Sequence, residues 1–167
     1  MKKHFFSAAL ILVVSSSTFL LPSCKKDETE PTVVTPPTPA VVTNAFSAKV
    51  DGVEFVETIL TAQESNGSLV INASKNSGSV ALGLTLPGNV AAGTYNLSAF
   101  GSYSAMYVTG STGDDLYMAD PGTVTITSND TENDVIKGTF SFTATPSFGS
   151  SSTTTYAVTA GSFTMNY

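Results

Sequence analysis

Residues 135–144 read Val-Ile-Lys-Gly-Thr-Phe-Ser-Phe-Thr-Ala, and this stretch decides the fold. From Ile136 to Ala144, apolar or small residues occupy every second position, with lysine, threonine or serine between them. Successive side chains of a β-strand point to opposite faces, so the alternation predicts a strand with one buried face and one wet face. The end of the chain, Phe163 to Tyr167, repeats the pattern. We therefore predict that this last strand is integral to the fold.

The segment Phe46–Phe55 predicts a β-hairpin. Its centre is Asp51-Gly52, a pair that tolerates positive φ at both central positions of a two-residue turn. The predicted register has three facing pairs, which are Ala48 with Phe55, Lys49 with Glu54, and Val50 with Val53. In this register the apolar residues share one face, and the oppositely charged pair lies on the other.

The same period of two extends across residues 45–167, where glycine and asparagine mark the turns and no long apolar run has helical spacing. Further predicted strand segments are Leu69–Ala73, Val80–Leu86, Gly93–Leu97, Tyr103–Tyr107, Leu116–Tyr117 and Val124–Ile126. About nine or ten short strands predict an all-β domain, and an antiparallel β-sandwich is the first choice. A closed or partly closed β-barrel is the alternative, because both architectures produce this alternation.

The N-terminus has the anatomy of an export signal. Lys2 and Lys3 precede an apolar run, Phe5 to Leu21, which is too short and too rich in serine for a membrane span of ~20 residues. Leu21-Pro22-Ser23-Cys24 then resembles a bacterial lipobox. We expect residues 1–23 to be removed as a lipoprotein signal peptide and Cys24 to be acylated, which makes the membrane a partner. An ordinary cleaved signal or an uncleaved anchor is the alternative.

Residues 24–44 predict a disordered, proline-rich tether between the acylated cysteine and a single domain at 45–167. Four prolines favour polyproline II at ~3.1 Å per residue, so the tether could hold the domain roughly 60 Å from the bilayer. Lys25-Lys26-Asp27-Glu28 resembles the surface-export signal of lipoproteins from the Bacteroidota. That resemblance implies an outer-membrane address with the domain exposed at the cell surface. An ordinary charged start of a linker is the alternative.

Composition excludes several kinds of chemistry from the exported part. The only histidine is His4, and the only cysteine is Cys24. Removal of residues 1–23 leaves five lysines against all 13 carboxylates, a net charge of −8. Such a surface repels phosphate backbones, so no nucleic-acid partner is expected. We expect no cofactor.

Five short motifs of the exported domain occur in an order that resembles a known family. They are Phe46–Gly52, Gly93-Thr94-Tyr95, Gly122–Thr127, Lys137–Phe142 and Gly161-Ser162-Phe163. In this order they resemble a family of uncharacterised lipoproteins of the Bacteroidota. The resemblance implies an all-β fold and an envelope address, and it transfers no catalytic residue.

An acidic segment offers oxygen ligands of the kind that calcium prefers. Asp130, Glu132 and Asp134 are spaced two residues apart. The EF-hand pattern, however, needs glycine and glutamate where this chain has Val135 and Ser141. The favoured interpretation is a solvated turn, and the weaker one is a calcium-binding loop.

Three tyrosines are the candidates for ligand binding. Tyr103, Tyr107 and Tyr117 lie within 15 residues of each other around one turn. Their rings and nearby hydroxyl-bearing residues could hold a glycan or a protein ligand. Packing within the sheet is the alternative, because tyrosine is also a favoured strand residue. The chain has no tryptophan, which counts against a typical sugar-binding platform.

Carboxylate catalysis is the competing functional class. Asp114 and Asp115 are adjacent, so on one strand they would point to opposite faces and could not form an acid pair; Asp120 lies just beyond. We therefore expect a lipid-anchored, non-catalytic binding or structural display module, and not an enzyme. A hydrolase that acts on glycan or peptide through carboxylates is the alternative.

Overall fold

The computed structural model describes residues 41–75, 78–110, 115–150 and 152–167. The predicted signal peptide, Cys24, the tether up to residue 40, and Asp114 lie outside these ranges. Within them no helix is long and apolar enough to span a membrane. Ten strands occur in the described ranges: β1 (Ala45–Val50), β2 (Val53–Glu54), β3 (Ile59–Ser65), β4 (Ser68–Lys75), β5 (Val80–Pro87), β6 (Gly93–Leu97), β7 (Ser104–Thr109), β8 (Asp115–Asp130), β9 (Val135–Pro146) and β10 (Tyr156–Asn166). The prediction of an all-β domain is confirmed.

Nine of these strands form one continuous antiparallel sheet. Their order is β2-β1-β10-β9-β8-β7-β5-β4-β3, and β6 pairs with β8 off this path. The sheet curls into a half-barrel, an arrangement consistent with a sandwich or a partial barrel. A short connection requires this curl. β2 and β3 lie at opposite ends of the strand order, yet only residues 55–58 connect them. Five Cα–Cα steps reach at most roughly 18 Å, so the two edges must approach each other.

The hairpin formed by β1 and β2 has the predicted register. Lys49 faces Glu54 and Val50 faces Val53. The Phe55 N–H donates to the Ala48 carbonyl at 2.9 Å, which continues the register past β2. The turn residues have φ angles of 50° (Asp51) and 81° (Gly52), the positive values that a type I′ turn requires.

The core lies on the concave face of the sheet. All five residues of the predicted inner face of β9 are buried, namely Ile136, Gly138, Phe140, Phe142 and Ala144. Gly138 is needed there because a Cβ at this position would lie 2.6 Å from Cζ of Phe163. Close packing of this kind leaves no room for an added methyl group.

Two strands are longer than the sequence predicts, because irregularities interrupt their alternation. β8 is one strand of 16 residues, with register shifts after Ala119 and after Ile126, where two shorter strands were predicted. In β10 the register shifts between Val158 and Gly161, and Ala160 has a φ of 50°. Each extra residue switches the inward-facing side chains between odd-numbered and even-numbered positions. A pattern of every second residue therefore does not reveal that the segments on either side form one strand. The sequence also did not predict β3.

The chain enters the domain at the end opposite the Asp51-Gly52 turn. Asn44, the last residue of the predicted tether, is already bound to β10. Its Oδ1 accepts a hydrogen bond from the Asn166 N–H at 2.7 Å. β1 then leads to the other end over six residues, roughly 20 Å at 3.3 Å per residue.

Candidate functional site

The structure brings together two of the three predicted tyrosines. Tyr107 of β7 and Tyr117 of β8 are facing partners, and both are buried. Their ring centroids are 6.4 Å apart. Tyr103 instead stacks on Tyr95 at 4.3 Å with an interplanar angle of 8°.

A third tyrosine, which is half-buried, joins this pair. The ring of Tyr156, at the start of β10, lies 5.1 Å from Tyr107 and 4.8 Å from Tyr117 between centroids. Both contacts are edge-to-face, the geometry that aromatic quadrupoles favour. We call Tyr107, Tyr117 and Tyr156 the tyrosine cluster. Tyr156 was not predicted from the sequence, because its only local signal is a short apolar alternation with Val158 after a serine- and threonine-rich stretch.

A cavity of about 290 Å³ lies against this cluster. We call it the tyrosine pocket; its lining residues are Val50, Asp51, Val53, Glu54, Phe55, Lys75, Tyr107 and Tyr156. These residues come from the β1–β2 hairpin and its continuation, the end of β4, β7, and the start of β10. The pocket therefore lies at the end of the sheet opposite the point where the chain enters.

The hydroxyl group of Tyr107 is the unusual feature of the pocket. The side chain is 8% exposed, and no described residue provides its oxygen with a hydrogen bond. Every fully buried side-chain nitrogen or oxygen in the described residues has a partner, so this oxygen must reach solvent. By contrast, the Tyr117 hydroxyl lies 3.3 Å from Oγ of Ser152. Burial raises the pKa of Tyr107, with Tyr156, Asp51 and Tyr117 adding to the effect, so the hydroxyl remains a neutral donor at physiological pH.

Charged groups of both signs surround the pocket. Nζ of Lys75 lies 4.9 Å from the centroid of the Phe55 ring, within cation–π range. Asp51 holds the hairpin against β10, since its Oδ1 accepts from the Ala157 N–H at 2.8 Å and its own N–H donates to the Ala157 carbonyl at 2.9 Å. The pocket walls thus combine aromatic rings with the Tyr107 hydroxyl, an ammonium group and carboxylates. A cavity of this size is at the lower end for ligand sites and fits one ring-sized group.

The acidic segment forms a turn whose first carboxylate is already occupied. Oδ1 of Asp130 accepts from the N–H groups of Glu132 and Asn133, both at 3.2 Å, and its Oδ2 accepts from Nδ2 of Asn133 at 2.8 Å. The hydrogen bond from the Asn133 side chain is the main cause that lowers the pKa of Asp130. In the described ranges no three histidine, cysteine or acidic side chains gather as a metal site. Asp130 therefore stabilises the turn, in the manner of an Asx turn.

Of the carboxylates considered for hydrolysis, Asp115 and Asp120 lie among the described residues, and the structure does not bring these two together. Asp115 begins β8, and Asp120 lies five residues further along the same strand. Their backbone positions are roughly 16 Å apart at 3.3 Å per residue, beyond the roughly 5 to 10 Å that glycosidase carboxylates need.

No curated protein and no solved structure matches the chain. One family model matches residues 42–165, which begin two residues before Asn44 and end one residue before the end of β10. The match covers well over half of the chain. The chain therefore belongs to the DUF6252 family, a domain of unknown function.

Proposed function

We propose that this protein is an outer-membrane lipoprotein, held by acylated Cys24, whose domain is a non-catalytic binding module. The lipobox-like Leu21–Cys24 and the tether after it support the anchor. The resemblance to lipoproteins of the Bacteroidota supports the same address, with the domain on the cell surface.

The observation that supports binding is the free hydroxyl group of Tyr107 in the tyrosine pocket. The rest of this side chain is buried, but its hydroxyl reaches solvent and has no hydrogen-bond partner among the described residues, so a ligand that enters the pocket can bond to it. Aromatic walls, the Tyr107 hydroxyl and the Lys75 ammonium group suit a ring-sized group of a glycan or of a protein ligand.

The position of the pocket supports this function as well. Asn44, where the predicted tether ends, lies at the other end of the domain. An anchor attached through Asn44 therefore joins the domain at a point remote from the tyrosine pocket.

Metabolic labelling with palmitate tests the anchor. The intact chain should incorporate label and partition with the outer membrane, because the acyl chains are attached to the sulfur and the new N-terminus of Cys24. Cys24→Ser should do neither, and Ser23→Ala, which keeps a small residue before the cysteine, serves as the matched control. An intact chain that carries no label would contradict the proposed address.

Two single-atom deletions test the binding site. Tyr107→Phe removes the free hydroxyl, and Tyr103→Phe removes the same atom from a tyrosine outside the pocket. Glycan arrays and envelope-protein extracts should identify a ligand whose affinity falls about three- to tenfold in Tyr107→Phe and stays unchanged in Tyr103→Phe. Equal affinities for both variants and the unmodified chain would remove the pocket from the proposal. Turnover of a glycan or peptide that is lost with Asp120→Asn would favour the hydrolase instead.

A further inference from the structure

The strand β3 is an edge strand of the part of the chain that the structure describes. It pairs with β4 over its whole length of seven residues, and no described residue forms a second ladder with it. The opposite edge of the sheet is β2, which is only two residues long. A row of backbone donors and acceptors is therefore available along β3 and not along β2.

The turn after β3 identifies the backbone groups that are free. Asn66-Gly67 has φ angles of 52° and 74°, so Ser65 and Ser68 close a two-residue hairpin and form its hydrogen-bonded pair. Hydrogen-bonded and non-bonded pairs alternate along an antiparallel ladder. The residues whose N–H and C=O groups point away from β4 are therefore Leu60, Ala62 and Glu64.

Strand β3 has few of the features that prevent an edge strand from pairing with another chain. β3 contains no lysine and no proline, and its register with β4 is unbroken. Residues 58–63 carry no ionisable group, and Glu64 is the only charge on the strand. The described residues expose six large hydrophobic side chains, and two of them lie at this edge, namely Ile59 on β3 and Val56 in the segment that leads into it. Uncharged edge groups and exposed apolar side chains together indicate an interface.

We infer that β3 pairs with β3 of a second copy of this chain, antiparallel and related by a two-fold axis. The axis passes beside Ala62, so Ala62 faces its own equivalent, Leu60 faces Glu64, and Thr61 faces Gln63. Each of the three outward residues then exchanges both backbone hydrogen bonds with the partner, six bonds in all from the ladder geometry. The interface continues the sheet across two copies.

Charge favours this edge and register for self-association. Residues 45–167 contain ten carboxylates and three lysines, so most surfaces of the domain repel a second copy. Along β3 the neutral stretch forms the centre of the contact. In the register centred on Ala62, Glu64 faces Leu60 and not another carboxylate, which avoids a destabilising like-charge pair.

Cysteine cross-linking of the full chain in its own membrane tests the inference. In a hydrogen-bonded antiparallel pair the Cα atoms are ~5.5 Å apart, a separation that a disulfide can bridge. Ala62→Cys should therefore give a disulfide-linked dimer when cells are treated with copper phenanthroline. Leu60→Cys is the matched control on the same strand, because its equivalents would lie roughly 13 Å apart. Cys24 is common to all variants, so the unmodified chain provides the background.

We expect at least about fivefold more dimer for Ala62→Cys than for Leu60→Cys. Coexpression of Leu60→Cys with Glu64→Cys should restore the dimer, because those positions face each other in this register. Similar yields for Ala62→Cys and Leu60→Cys, whether both low or both high, would overturn the inference. A cross-link from Ala62→Cys to a protein of different mass would also overturn it, because another protein would then occupy the edge.

Discussion

Asn129 joins three separate parts of the chain at the end of the sheet where the chain enters. Its Nδ2 donates to the carbonyl oxygens of Gly88 and Val90, both at 3.0 Å. Its Oδ1 accepts from the hydroxyl of Tyr167, also at 3.0 Å. The amide thus satisfies two carbonyls of the loop after β5 and holds the last residue of the chain. The local sequence carries no signal for this role, since the partners of Asn129 lie about 40 residues away on either side.

At the residue scale, we predict that Asn129→Ala destabilises the protein by about 2–3 kcal/mol, because three half-buried hydrogen bonds are lost. Asn129→Asp should cost at least as much at neutral pH, since a carboxylate would face two carbonyl oxygens with no proton to donate. Denaturant unfolding measures both changes. Asn89→Ala, at an exposed residue of the neighbouring loop, is the control and should change stability by less than about 0.5 kcal/mol. An Asn129→Asp protein as stable as the unmodified one would contradict the role of this amide.

Among the elements, β10 shows why the end of the chain matters. It lies between β1 and β9 and pairs with both. Phe163 and Met165 of this strand are buried in the core. The strand therefore contributes two ladders and part of the hydrophobic core, although it is the last of the described strands in chain order.

At the element scale, we predict that deletion of residues 163–167 abolishes soluble folding. Loss of Phe163 and Met165 alone should cost roughly 5–10 kcal/mol, comparable with the entire stability of ~5–15 kcal/mol of a domain. The soluble yield and a thermal melt of the truncated chain measure this effect. A truncated chain that melts cooperatively near the normal temperature would contradict the topology.

A matched pair of substitutions separates the packing of β10 from the effect of truncation. Phe163 is 3% exposed and Phe148 is fully exposed, so the same change to alanine removes the same atoms from two opposite environments. We predict a loss of about 3–5 kcal/mol for Phe163→Ala and less than about 0.5 kcal/mol for Phe148→Ala, measured by denaturant unfolding. Equal losses would mean that Phe163 does not pack in the core.

For the whole molecule, the ionisation of tyrosines makes stability change with pH in the alkaline range. Burial is the first cause that raises the pKa of each of four tyrosines, namely Tyr103, Tyr107, Tyr156 and Tyr167. In the unfolded chain these groups lose their protons near pH 10. The unfolded state therefore binds fewer protons than the folded state above that pH, and stability falls as pH rises.

At the scale of the whole molecule, we predict that Tm is insensitive to these tyrosines below about pH 9 and declines as the pH rises through and beyond 10. Thermal melts between pH 8 and pH 11.5 measure this decline. Tyr107→Phe should decline less steeply, because one of the groups that titrate is removed. Parallel curves for the two proteins would show that Tyr107 does not contribute.

The sequence by itself determined features whose causes lie within a few residues of each other. The alternation in β9 specified its inner face, because side chains of a strand change sides at every residue. The register of the first hairpin followed from Asp51-Gly52, since a two-residue turn leaves only one pairing for Val50 and Val53. These predictions needed no knowledge of distant strands.

Only the tertiary structure decided which distant residues meet. Bulges in β8 and β10 change which alternate residues face inward. Their positions determine that the ring of Tyr156 contacts Tyr107, whereas the ring of Tyr103 stacks on Tyr95. The curl of the sheet likewise brings the hairpin and the end of β4 to the same pocket. The physical reason is that such contacts depend on the accumulated register, twist and curvature of many strands, whereas a period of two describes each strand alone.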